Sequence, residues 1–426
     1  MAKERLAIGV YCGQAADGVD AAMVHIAGGG EKMKVRPLHE SHHPFDDALR
    51  ARLIEAMDDP PRDAGVPPAR PAGILPASHG ETGVTASSDQ ANGTHNAGGT
   101  PAPRETPAPQ LSALDRDVTA ALIAAAEAMM TLETTKPADI AVVGLGGPVV
   151  FHQPRDPKNP ASLAYVTELG DVSFTAARLG TAVAGQFAQS DTGAGGCGGP
   201  VSAWADWLLF RDKRLSRVLI HLGGLVTLTQ IGTNAHPLEV VAFDVGPGTM
   251  LMDALTHELM GRPVDMDGAF ADRGRPSASM LNELLANPYF RLPAPKVTHR
   301  RPWSGVYLTR LRAMAQRHRV REEDVVATAT ELVAHSVVQG VKLLTERPHE
   351  IILTGGGARN IHLASRIRTL LSPSSTINSE KFGIGIRVKQ AICMAVLAAA
   401  RLDKTPIYCP YATGAKAPAV WGALCE

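Results

Sequence analysis

One local plan is spelled twice in this chain, first over residues 5–26 and again from the middle of the sequence. Arg5 to Gly13 reads as an apolar strand running into a glycine-containing turn, and Val19 to Ile26 resumes as a second strand. RVLIHLGG, beginning at Arg217, repeats the plan, with LVTLTQIG as its returning strand. VVAFDVGPG follows as another strand and glycine loop, opening a helix over Met250 to Met260. HEIILTGGGARNIHLASRIRTLL adds a strand, three glycines and an amphipathic helix. Two hairpin-bearing halves with glycine loops at strand ends predict a duplicated α/β core with a cleft between two lobes.

Size and charge agree with that expectation. A chain of 426 residues exceeds what one hydrophobic core usually supports, and 45% apolar residues suffice for two. Lys plus Arg and Asp plus Glu number 42 each, so no global field favours nucleic acid or an anionic membrane. The five cysteines (Cys12, Cys197, Cys393, Cys409, Cys425) form no CxxC pair, which fits a reducing compartment. MAKERLAIGVYCG reads as a first strand rather than a signal peptide, and AALIAAAEAMM is too short to span a bilayer. A cytoplasmic protein is expected. Residues 60–110 are almost free of large apolar side chains and rich in Pro, Gly, Ala, Ser and Thr, so they read as a disordered insertion. The division expected is an N-terminal lobe of 1–59 and 111–215 and a C-terminal lobe of 216–426.

Three glycine-rich turns follow strands, where α/β proteins bind ligands. The first carries Gly13, Asp17, Gly18 and Asp20; the second carries Asp244, Gly246 and Gly248; the third carries Gly355, Gly356, Gly357 and Asn360. Glycines admit phosphate oxygens close to backbone N–H groups, and a carboxylate can hold Mg²⁺ through its waters, a role open to Asp17 and Asp244. A plain hairpin turn is the simpler account of the first, and helix capping competes for Asp244. Three successive glycines before a helix favour close approach by a nucleotide. Neither GxxxxGK[ST] nor a GxGxxG after the first strand is present, which weighs against P-loop and dinucleotide-binding readings.

Read together, GVYCGQAADGVDAAMV, QFAQSDTGAGGCGGPVSAW, IHLGGLVTLT, FDVGPGTMLMDA, NPYFRLPAPKVTHR, LTGGGARN and TGAKAPAVWGAL resemble the anhydro-N-acetylmuramic acid kinases. That family belongs to the actin, hexokinase and Hsp70 superfamily, with its ribonuclease H-like lobes. The resemblance implies an ATP- and Mg²⁺-dependent enzyme of cell-wall recycling. Its substrate would be an aminosugar, 1,6-anhydro-N-acetylmuramic acid, whose anhydro bridge is hydrolysed as O6 is phosphorylated. It implies Asp191 as the catalytic carboxylate, Glu331 and His152 on the sugar side, and a homodimer.

The departures from the family pattern fall on polar groups. SGTSxDG becomes Cys12-Gly13-Gln14-Ala15-Ala16-Asp17-Gly18, and GSHGQT becomes Gly144-Leu145-Gly146-Gly147-Pro148-Val149. An Asp-Phe-Arg becomes Gln186-Phe187-Ala188, the asparagine after GPG is Thr249, and a Gly-Arg-Glu becomes His299-Arg300-Arg301. The acidic GDxxEA-like segment reads Ile384 to Ala391, with Arg387 inside it. Gln14, Arg300 and Arg387 are the residues placed to compensate. One lost transition-state donor typically costs about a hundred- to a thousand-fold in rate. Two expectations therefore stay open, a divergent kinase and a pseudokinase that binds nucleotide or sugar as a regulator.

Overall fold

The computed structural model describes residues 4–59, 108–132, 135–153, 155, 159 and 162–426. All but the last three residues of the expected insertion lie outside the described residues, and those three begin the helix Ala108–Leu132. The first seven strands are β1 (Glu4–Tyr11), β2 (Gly18–Ala27), β3 (Lys34–Pro44), β4 (Ile140–Gly146), β5 (Val149–Gln153), β6 (Tyr165–Glu168) and β7 (Val183–Gly185). The others are β8 (Arg217–Leu222), β9 (Leu225–Ile231), β10 (Val241–Pro247), β11 (Glu350–Thr354), β12 (Ser375–Asn378) and β13 (Ala423–Cys425).

The two large sheets share one plan. In the first, an antiparallel β3-β2-β1 meander continues into the parallel strands β4 and β7. In the second, β10-β9-β8 is the meander and β11 and β12 the parallel extension. The duplicated, two-lobed α/β core of the actin- and hexokinase-like, ribonuclease H-like type is thus present. β5 and β6 form a separate two-stranded ribbon.

Period-two alternation tells each strand which way to face. Ala7 of β1 joins a core with the helix Lys389–Leu402, whereas Ile8 and Val10 join the helix Ala108–Leu132. In β8, Leu219 looks into that same Lys389–Leu402 core, while Val218 and Ile220 pack under the helices Glu322–Lys342 and Ile361–Leu370. Lys389–Leu402 and Ala203–Phe210 therefore lie in the core common to both sheets, with Trp204 and Trp207 among their buried side chains.

The C-terminus corrects one expectation. Residues 216–426 are not one lobe, because the helix Lys389–Leu402 packs on β1 and β4 and β13 pairs with β7 of the first sheet. Two glycines explain how the helix comes so close. A methyl group added at Gly9 would fall 1.8 Å from the Ala391 carbonyl oxygen, and one at Gly144 would fall 2.1 Å from that of Met394. Across the same core, the Lys389 ammonium reaches Asp206 at 2.8 Å, and Ser202 and Thr229 hydroxyls also donate to that carboxylate. Both charged side chains are 1% exposed.

Candidate active site

A cleft of about 390 Å³ opens where the carboxyl ends of β1, β8 and β11 come together. The glycine turns nest so closely that side chains would part them. A methyl group at Gly224 would fall 2.4 Å from the Ala15 nitrogen of the first turn, and one at Gly248 would fall 2.4 Å from the Gly223 oxygen. Gly357 touches Thr249 and the Leu222 carbonyl in the same way. Gly355 adopts φ +87° and donates its N–H to the Ile386 carbonyl at 2.6 Å.

Of the residues expected at the site, Gly13, Asp17, Asp20, His152, Asp244, Gly356, Gly357 and Asn360 line this one cleft. Gly18, Gly246, Gly248 and Gly355 stand behind the lining and shape the backbone. Gly18 serves the sheet, since a methyl group there would fall 2.3 Å from the His43 carbonyl oxygen of β3. Asn360 also caps the helix Ile361–Leu370, its Oδ1 accepting from the Leu363 N–H at 2.9 Å.

Asp191 and Glu331 do not line the cleft. The helix Phe187–Gly193 delivers Asp191 beneath the Gly195–Gly199 turn, where the side chain is wholly buried. Its Oδ2 accepts from the Gly198 N–H at 2.8 Å, and Oδ1 has no hydrogen-bond partner. Burial outweighs the Thr413 hydroxyl and the Gly198 N–H and raises this carboxyl to about 6. Gly198 and Gly199 line the cleft, so Asp191 supports the wall from behind. Glu331 faces Arg366 and His335 within the C-terminal lobe, with Arg366 Nη2 at 3.1 Å and His335 Nε2 at 3.3 Å.

Three groups in the lining are not among the expected site residues. Glu168, ending β6, keeps a partly exposed edge, but burial pushes its carboxyl up to about 8. It also borders a smaller adjoining hollow with Gln186 and Asp171. Asp253, on the helix Thr249–Met260, is pushed up by burial to about 7, with Asp17 adding to the rise and Arg50 and Arg300 opposing it. His299 packs edge-on to His152 at 5.6 Å and is held down to about 3 by burial, then by His152 and Arg301. The signal that points to Asp244, an acidic group ending a strand just before a glycine, also applies in weaker form to Glu168 ahead of Leu169-Gly170. Asp253 and His299 have no such local signal.

Burial lowers the basicity of His152, against the opposing pull of the Cys197 carbonyl. Its Nε2 donates to the Cys197 carbonyl at 2.8 Å, leaving Nδ1 as an unpaired acceptor. Asp244 accepts from the Thr227 hydroxyl at 2.9 Å and the Thr298 N–H at 3.0 Å, yet burial still raises it to about 6. Of the three residues placed to compensate for lost polar groups, two are structural. Gln14 donates to the Val149 carbonyl at 2.8 Å, and Arg300 joins the Gln14 carbonyl to Asp58.

Direct ligation of a divalent cation by Asp17 and Asp244 does not fit these residues. Asp17 is ion-paired to Arg387, and Asp244 is committed to Thr227 and Thr298. Among the described residues no group of three or more His, Cys, Asp or Glu side chains is gathered to hold a metal. A cation at Asp17 would also sit against the Arg387 guanidinium, a like-charge contact.

Matching strand orders, with ligand-facing turns at equivalent strand ends of both sheets, define a member of the actin- and hexokinase-like class. A family model described as anhydro-N-acetylmuramic acid kinase matches residues 101–426. An anhydro-N-acetylmuramic acid kinase from Salinibacter ruber is 33% identical over 429 residues, covering 99% of this chain and 96% of that protein. One from Gloeobacter violaceus is 32% identical over 411 residues, covering 96% of each. The chain belongs to the anhydro-N-acetylmuramic acid kinase family.

Proposed function

We propose that this protein is an ATP-dependent kinase that converts 1,6-anhydro-N-acetylmuramic acid, or a related anhydrosugar, with water into the 6-phosphosugar of cell-wall recycling. Family membership supports the reaction class, and one observation carries the assignment of the cleft. The strand-end turns of both lobes and a set of desolvated acidic groups share a single cavity. The triple-glycine end suits phosphates, because backbone N–H groups there can approach oxygens closely. The end with Glu168, His152 and His299 suits a sugar.

In this reading Glu168 is the base. It takes a proton from the water attacking C1, the bond from C1 to O6 breaks, and the freed O6 attacks the γ-phosphorus as ADP leaves. A carboxyl near pH 8 lies close to the working pH, where proton transfer in either direction is easiest. His152 presents its unpaired Nδ1 to a sugar hydroxyl. Asp191 stands behind the Gly195–Gly199 wall with Oδ1 unpartnered, and is the second carboxylate set against Glu168 for that role.

Incubation with Mg-ATP and the anhydrosugar, followed by mass spectrometry, should yield a species heavier by one phosphoryl group (HPO3) and one water. ATP and sugar that stabilise the protein to heat while no phosphosugar forms at high enzyme concentration would overturn the kinase reading.

A further inference from the structure

We propose that Arg387 is a built-in cation of the phosphate site, so that nucleotide binding by this chain needs little help from a divalent metal. The inference rests on the nucleotide reading of the cleft and refines how the phosphates are held.

Two backbone features bring the arginine there. It lies just ahead of the helix Lys389–Leu402, and the adjacent Ile386 carbonyl accepts the Gly355 N–H, which ties its position to the triple-glycine turn. Three side chains then orient the guanidinium. Nε donates to Asp20 at 2.8 Å, and Nη2 donates to Asp17 and, at 3.1 Å, to His42 Nε2. Because an arginine nitrogen cannot accept, His42 Nε2 is the acceptor, and its Nδ1–H donates to Asp20 at 2.8 Å. These contacts close a ring around one edge of the guanidinium.

That arrangement uses one edge of the guanidinium and leaves Nη1. This nitrogen lies over the glycine turn, where a methyl group added at Gly356 would fall 3.5 Å from it. The side chain is 20% exposed and lines the cleft, so Nη1 is open to a ligand. A guanidinium held by two aspartates and facing a strand-end glycine loop offers a phosphate oxygen a fixed charge and a donor. It needs no dehydration of a metal ion. The same pairing keeps Asp17 and Asp20 from attracting a second cation.

The test is calorimetric titration of ADP and of a non-hydrolysable ATP analogue into the intact protein, with Mg²⁺ and with EDTA. For the natural chain, the dissociation constants in the two media should agree within about threefold. Arg387→Gln should bind at least about tenfold more weakly in EDTA and recover part of the loss in Mg²⁺. Arg387→Lys, which keeps the charge but not the fork, should fall between them. If the natural chain loses more than about tenfold in EDTA, the inference is overturned while the nucleotide reading stands. If no nucleotide binds in either medium, the nucleotide reading falls with it. The natural chain alone decides both points, so the experiment remains conclusive even where a variant folds poorly.

Discussion

Two carboxylates of the first lobe show how position rather than residue type decides a role. Glu168 and Asp191 are both desolvated, but only Glu168 borders the cleft. Glu168→Gln should lower kcat/KM at least about a hundredfold with nucleotide affinity unchanged, whereas Asp191→Asn should cost less than about tenfold. Losses in the reverse order would return the chemistry to Asp191. The natural enzyme's kcat/KM should climb with pH until the carboxyl near 8 is ionised. Stability runs the opposite way. A carboxyl whose folded pKa is raised favours the folded state below its unfolded pKa, and the advantage is lost as pH rises through the folded value. Glu168→Gln should therefore melt about 2 °C or more above the natural chain at pH 9 and show little gain at pH 5. The motif QFAQSDTGAGGCGGP makes Asp191 conspicuous, but no one-dimensional pattern says that the turn after it folds back over its carboxylate.

The helix Lys389–Leu402 is the element that most depends on its surroundings. Its run of alanines reads as a helix in isolation, but the residues that let it dock are Gly9 and Gly144, far away in sequence. Asp206 on Ala203–Phe210 holds the Lys389 ammonium in the core common to both sheets. Lys389→Met should cost about 3–5 kcal/mol, because Asp206 would remain buried without its cation, and urea unfolding reads this directly. Asp206→Asn combined with Lys389→Met should recover much of that loss. Strands and glycine turns are legible because each announces itself locally, by alternation and by a breaker. Glu331 sits in an equally plain helical pattern, yet its partner Arg366 lies on another helix, so the sequence could not say that the carboxylate is already engaged.

At the scale of the molecule, the duplicated plan is legible from the two strand-turn echoes, but the division of the chain between lobes is not. Sequence order suggests that each half builds its own lobe. The structure sends β13 and the helix Lys389–Leu402 back to the first sheet. Hydrophobicity alone cannot announce such a return, since the apolar face of that helix would suit either sheet. A chain ending at residue 388 should leave β1 and β4 uncovered on the face where Lys389–Leu402 packs. It should be recovered in the insoluble fraction, while one ending at 422, lacking only β13, should stay folded with a lowered melting temperature.

Synthesis runs from the N-terminal side onward, so β1 and β4 are made long before the helix Lys389–Leu402 that shelters them. Until that helix leaves the ribosome, the face of β1 and β4 on which it packs, with its bare glycine backbone at Gly9 and Gly144, lacks its cover. The lobe opened by β1 is therefore closed only by an element made after the strands of the second sheet.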